Sequence, residues 1–124
     1  MKDDLATSSD NQSALRAGPA TRLIISGAGN PNNVRRGSNL EKLPSGTLQD
    51  ASGREVIDTG RYTLLSVSPS SDTAKVIVTN TPGRLNGSVK VNNVQNDMTI
   101  VARLTPDNHP HLAANYTVIV KVIG

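Results

Sequence analysis

At 124 residues and a formal net charge of +3, the chain has the length of one domain and no strong charge bias. It contains no cysteine, which excludes disulfide bonds and cysteine-based metal or nucleophile sites. Phe and Trp are also absent, so the core must be built from Val, Ile, Leu and Ala with two Tyr. Such a small aliphatic core predicts a domain that association with copies or a partner would stabilise.

The first 19 residues are polar, small and aperiodic, and they close with Gly18-Pro19. We expect a flexible N-terminal arm over residues 1–19 and a single domain over residues 20–124. The arm lacks the apolar run of a signal peptide, and no part of the chain reaches the ~18 apolar residues of a membrane-spanning helix. Leu5 and Leu15 are the arm's candidate contacts with an assembly partner.

The rest of the chain alternates apolar and polar residues between turns rich in Gly, Pro, Asn and Asp. After residue 20 no sustained 3.6-residue period is present. The pattern therefore predicts an all-β fold of about seven strands, a small antiparallel β-sandwich or a jelly-roll-like barrel. A long loop is expected at 27–39, and strands are expected at 21–26, 47–49, 55–58, 61–67, 73–79, 88–92, 98–104 and 114–124.

The last eleven residues read ANYTVIVKVIG and predict a strand with two different faces. One face is wholly apolar and indicates a place in the core. The other face is half apolar, so it needs a second sheet or a neighbouring subunit to cover it. We therefore predict an assembly interface at Ile119, Lys121 and Ile123.

This C-terminal segment is similar to the closing strand of chaperone–usher pilins, which often carry Gly/Ala-x-Tyr before alternating valines. The matching residues are Ala114, Tyr116 and the valines that follow. The resemblance implies a fimbrial or adhesin subunit, located at the cell surface after removal of a signal peptide.

Both histidines lie in His109-Pro110-His111. On an extended segment they would point the same way, and neutral imidazole is a good metal ligand. The H-x-H pattern resembles the histidine pairs that bind iron on the axis of some trimeric phage tail spikes, which implies six imidazoles meeting in a trimer. The alternative is a pair of histidines in an exposed loop. We predict no cofactor, and His109 and His111 remain the candidate metal ligands.

The densest basic spot is Arg35-Arg36, which could contact an anion or simply belong to a surface turn. A nucleic-acid surface usually has more clustered charge and aromatic side chains for stacking, so the sequence does not favour nucleic acid. No nucleophile motif accompanies the histidines, and most of the acidic residues fall in predicted turns. The chain is therefore predicted not to be an enzyme.

Together, these patterns favour a structural protein that docks through its arm and its β-domain. The preferred setting is a bacteriophage virion, with the chain as a capsid decoration, head or tail subunit made in the host cytoplasm. Its partner would be itself, for instance in a trimer, or a larger lattice such as a capsid, and no membrane is expected. A fimbrial pilin or adhesin subunit and another β-sandwich binding module remain as alternatives.

Overall fold

The computed structural model describes residues 18–124, which form ten β-strands and two short 3-10 helices, Ser70–Lys75 and Pro110–Leu112. The all-β prediction is confirmed, with ten strands in place of about seven. In chain order the strands are β1 (Ala20–Ser26), β2 (Asn32–Arg35), β3 (Leu40–Lys42), β4 (Ser45–Asp50), β5 (Glu55–Val56), β6 (Gly60–Ser68), β7 (Val76–Asn80), β8 (Gly87–Val91), β9 (Met98–Pro106) and β10 (Ala114–Ile123).

The strands form three open sheets, with strand orders β1-β4-β5, β2-β10-β9-β6 and β3-β8-β7. The four-stranded sheet packs against the two three-stranded sheets, so the sandwich is the observed form of the two predicted architectures. One core cluster joins residues such as Ile100 and Val118 to Val89 and Val91 of β8. A second cluster joins Leu48 of β4 to Tyr62, Leu85 and Leu104.

β10 lies inside the four-stranded sheet, between two partners of opposite direction. It pairs antiparallel with β9 from Ala114 to Val120, and parallel with β2 from Val120 to Ile123. Tyr116, Val118 and Val120 are buried, as the alternation predicted, and Val122 is half-buried. The C-terminal strand is therefore an internal element of the fold.

The two tyrosines pack edge to face in the core, with ring centroids 6.4 Å apart. Their hydroxyls donate to backbone carbonyls, Tyr62 to Leu85 at 2.8 Å and Tyr116 to Gly27 at 2.9 Å. Burial raises the pKa of Tyr116 to about 12, so its hydroxyl stays a neutral donor near neutral pH. These bonds fix β6 and β10 to the loops beside them.

Two asparagine side chains take the place of a neighbouring strand. The Asn30 amide donates to Thr117 O at 2.8 Å, and its Oδ1 accepts from Ile119 N at 2.9 Å. In the same way Asn80 Oδ1 accepts from Tyr62 N at 2.6 Å and Asn80 Nδ2 donates to Tyr62 O at 3.3 Å. Asn80 thereby ties β7 of one sheet to β6 of another, where an unpaired backbone edge would otherwise be left.

Three local predictions were wrong. The loop predicted at 27–39 contains β2, whose only large apolar residue, Val34, is buried against the core. The strand predicted at 73–79 begins at Val76, because the chain after Pro69 first forms a 3-10 turn. The strand predicted at 55–58 ends at Val56, and Asp58 turns inward to bond a distant loop.

β10 runs along the four-stranded sheet, pairing first with β9 and then with β2. Leu112, just before β10 begins, packs on the second core cluster, as do Ala20 and Leu23. Ile123 lies at the other end, beyond the pairing of Val120 with Met98. Beyond Val120, β10 therefore pairs with β2 alone.

Candidate docking face and histidine cluster

The four-stranded sheet has one buried face and one open face, which we call the outer face. Its side chains alternate with core residues along each strand, and most of them are exposed within residues 18–124. The outer face consists of Asn33, Arg35, Arg61, Thr63, Leu65, Ser66, Ser68, Thr99, Val101, Arg103, Thr105, Asn115, Thr117, Ile119, Lys121 and Ile123.

The outer face carries four apolar side chains, Leu65, Val101, Ile119 and Ile123, which we call the apolar stripe; Lys121 lies between the last two. A β-bulge places both Leu65 and Ser66 opposite Val101, and Leu65 is 50% exposed as a result. Val101 and Ile119 are half-buried, and Ile123 is 49% exposed. The stripe is therefore apolar surface that the described part of the fold leaves in contact with water.

Four basic side chains surround this stripe, and the outer face carries no carboxylate. Lys121 contacts Asp97 at the rim, at 3.6 Å with both side chains exposed. Arg35, Arg61 and Arg103 have no carboxylate partner within residues 18–124. Arg61 and Arg103 are diagonal neighbours, because Arg103 pairs with Thr63 and Arg61 with Thr105. The face is thus electropositive and suited to an acidic partner.

The predicted assembly residues Ile119, Lys121 and Ile123 all lie on this outer face. Their role in assembly stays a prediction. Leu5 and Leu15, the other two predicted contacts, lie outside the described residues. Sequence reasoning missed Leu65, Arg61 and Arg103, although all three alternate with core residues in strands that were predicted. The strand order, which places β6 and β9 in one sheet with β10, could not be predicted from the sequence.

Arg35 and Arg36, the predicted contacts for an anion, lie in different surroundings. Arg35 is exposed on the outer face. Arg36 donates to Gln95 O at 2.6 Å and to Gly124 O at 3.4 Å. Both arginines line a shallow pocket with Ile123 and Gly124. Anion contact at this pair stays a prediction.

A second cluster forms around Asp58, whose side chain is fully buried. The carboxylate accepts hydrogen bonds from the backbone N–H of Thr59 at 2.7 Å and of Asn108 at 3.0 Å. It also accepts one from the side-chain amide of Asn108 at 2.9 Å. Its Oδ2 also lies 2.8 Å from His109 Nδ1. Burial opposes ionisation, but the His109 and backbone hydrogen bonds outweigh it and hold the pKa of Asp58 below its usual range. Asp58 thereby anchors the loop that follows β9.

The prediction that the two histidines lie on an extended segment was wrong. Pro110 begins a 3-10 helix that carries His111, because proline suits the first position of a helical turn. The two rings are still neighbours, with centroids 6.2 Å apart. Among the described residues no group of three or more His, Cys, Asp or Glu is placed to hold a metal ion. The pair remains a candidate with two protein ligands.

No protein-family model matches this chain, and no curated protein matches it. Among solved structures, domains 4 and 5 of the S-layer protein SbsC align with a TM-score of 0.48 and 16% identity, over 86% of this chain and 53% of that one. A structure of SbsC domains 4–9 aligns with a TM-score of 0.47 and 16% identity, over 86% of this chain and 15% of that one.

A nucleoside hydrolase-related hypothetical protein from Saccharophagus degradans, associated with carbohydrate metabolism, aligns with a TM-score of 0.49 and 18% identity. The alignment covers 84% of this chain and 26% of that one. The chain thus spans about half or less of each of these structures, and similarity of this degree does not bear on function. Within residues 18–124 no helix is long and apolar enough to cross a bilayer.

Proposed function

We propose that this chain is a non-enzymatic assembly subunit, in which the N-terminal arm of one copy binds the outer face of a neighbouring copy. The observation that carries this proposal is the open sheet face, on which arginines without a carboxylate partner among the described residues lie around the apolar stripe. Exposed apolar surface rimmed by polar residues is typical of a protein interaction site.

The arm contains carboxylates, which the outer face lacks. Its three carboxylates, those of Asp3, Asp4 and Asp10, outnumber its two basic side chains, Lys2 and Arg16, and it contains two leucines, Leu5 and Leu15. The carboxylates can pair with the arginines of the face, and the leucines can cover the stripe. Two outer faces pressed together would instead bring their basic side chains into repulsion. An arm-to-face contact is heterologous, so it can link subunits into a larger array.

The expected strength of one such contact is modest. Burying one leucine contributes about 1.5–3 kcal/mol, and an exposed ion pair contributes about 0–1 kcal/mol. Ordering the arm opposes this at roughly 1–2 kcal/mol for each residue fixed. We therefore expect weak pairwise binding that becomes firm only when many copies each give and receive an arm.

The setting we propose is a bacteriophage virion, where a small subunit docks repeatedly on a lattice as a decoration, head or tail component. A fimbrial or adhesin subunit is the second candidate, and it is favoured by the Ala114–Tyr116 and valine pattern of β10. Donation of an N-terminal segment to a neighbour suits both settings.

The proposal is tested by measuring the mass of the purified full chain by sedimentation equilibrium across a concentration series, at low and high salt. We expect association that rises with concentration and falls with salt. Removing residues 1–17 should abolish it, and so should Arg61→Glu combined with Arg103→Glu.

The matched control is Arg22→Glu combined with Lys90→Glu, which makes the same change in net charge on exposed positions of β1 and β8 in the opposite layer. This control should associate like the unmodified chain. A full chain that stays monomeric at low salt and high concentration would overturn the proposal. So would association that persists unchanged without residues 1–17.

A further inference from the structure

The loop after β9 places both histidines of the chain beside a buried carboxylate. Asp58 Oδ2 lies 2.8 Å from His109 Nδ1, and the carboxylate is also fixed by the Thr59 and Asn108 backbone. An ionised carboxylate only accepts hydrogen bonds, so Nδ1 of the neutral ring carries the proton. Nε2, on the far side of the ring, then carries the lone pair that a metal ion needs.

His111 is near enough to share an ion with His109. Its ring is exposed, and its centroid lies 6.2 Å from that of His109. A metal–nitrogen bond of about 2.0–2.1 Å places the ion roughly 3 Å from each ring centre. Two rings bound to one ion are therefore roughly 5–6 Å apart, depending on the angle between the bonds. The observed spacing is within reach of a small rotation of the exposed His111 side chain.

We propose that His109 and His111 form a two-histidine site for a divalent transition-metal ion such as Cu²⁺, Ni²⁺ or Zn²⁺, with Asp58 orienting His109 from behind. In histidine ligands, the N–H of the second ring nitrogen commonly donates a hydrogen bond to a carboxylate, which fixes the tautomer and the ring direction. Water or a donor from another molecule would complete the coordination. With imidazole ligands, Cu²⁺ is expected to bind more tightly than Ni²⁺ or Zn²⁺.

The test is titration of the full chain with Cu²⁺ alone and with Ni²⁺ alone by calorimetry, with electron paramagnetic resonance of the Cu²⁺ form. We expect one ion per chain and hyperfine coupling to imidazole nitrogen. His109 and His111 are the only histidines, so that coupling can come from no other side chain. His111→Ala, at an exposed position, should leave the fold unchanged by circular dichroism and weaken binding at least about tenfold.

The role of Asp58 has its own test. Asp58→Asn should weaken binding about 10–100-fold. Asp107→Asn removes the same charge from a carboxylate that bonds Thr59 and no histidine, and it should not weaken binding. Where Asp58→Asn fails to fold, the ¹⁵N shifts of His109 in the unmodified chain report the tautomer, and a proton on Nε2 would contradict the orientation. Absence of metal binding, or equal binding by His111→Ala, would overturn the site.

Discussion

At the scale of single residues, buried carboxylates hold distant segments of this chain together. Asp50 Oδ2 accepts from Gly18 N at 2.7 Å, while Oδ1 accepts from Ser52 N and Arg54 N at 2.9 Å. The Gly18 bond, followed by those from Arg54 and Ser52, holds the pKa of Asp50 well below its usual range despite burial. Asp58 does the same for the loop that carries His109.

These two lowered pKa values predict that stability falls in acid. The unfolded chain binds more protons than the folded chain as pH falls through the ordinary carboxyl range near 4, so stability is full above that range and is lost below it. We expect the urea midpoint to be steady near pH 6 and to drop towards pH 3. Asp50→Asn should lower the midpoint near pH 6 and make the acid drop shallower, as measured by circular dichroism. Parallel pH profiles for the two proteins would contradict this account.

At the scale of the elements, adjacent positions of β10 should respond in opposite ways to the same substitution. Val120 is fully buried, and an unpaired carboxylate there costs several kcal/mol, against about 5–15 kcal/mol for a whole domain. Val120→Asp should therefore unfold the protein. Ile119→Asp and Ile123→Asp, on the outer face, should leave it folded with weaker association. Thermal melts and sedimentation separate these outcomes, and unfolding by all three would show that the strand is purely a core element.

The joint between β6 and β7 gives a second prediction at this scale. Asn80→Ala removes both hydrogen bonds to the Tyr62 backbone, inside the fold. We expect a loss of about 1–3 kcal/mol in the free energy of unfolding, measured in urea. Asn33→Ala, at an exposed position of β2, serves as control and should change it by less than about 0.5 kcal/mol. Equal effects would mean that Asn80 does not join the sheets.

The strands that could be predicted are those in which apolar and polar residues alternate, because this alternation shows which face of the strand is buried. β9 and β10 alternate strictly, because each buries one face against the core. β2 could not be predicted in this way, since Asn32–Arg35 holds one buried residue and its partner β10 lies at the far end of the chain. The contact of Asp58 with His109 likewise joins residues 51 positions apart, and no local pattern encodes it.

At the scale of the whole molecule, the formal net charge of +3 hides an uneven distribution. Four basic side chains lie on one open sheet face, while the buried carboxylates of Asp50 and Asp58 accept hydrogen bonds from backbone N–H groups. Composition alone therefore indicated a mild excess of positive charge, whereas the fold places four basic side chains without a carboxylate on one surface. The candidate docking face could therefore be identified only once the strand order was known.

The parallel pairing of β2 with the end of β10 has a mechanical consequence. Because the two strands are parallel, a force that pulls β2 from its N-terminal end and β10 from its C-terminal end acts along both of them. The parallel bonds between β2 and β10, from Val120 to Ile123, would then be loaded in shear and together, whereas peeling would load them one at a time. Resistance to force depends on the rate of unfolding under load, which such an arrangement slows. The short strand β2, which could not be predicted from the sequence, would then be the element whose bonds to β10 resist the pulling force.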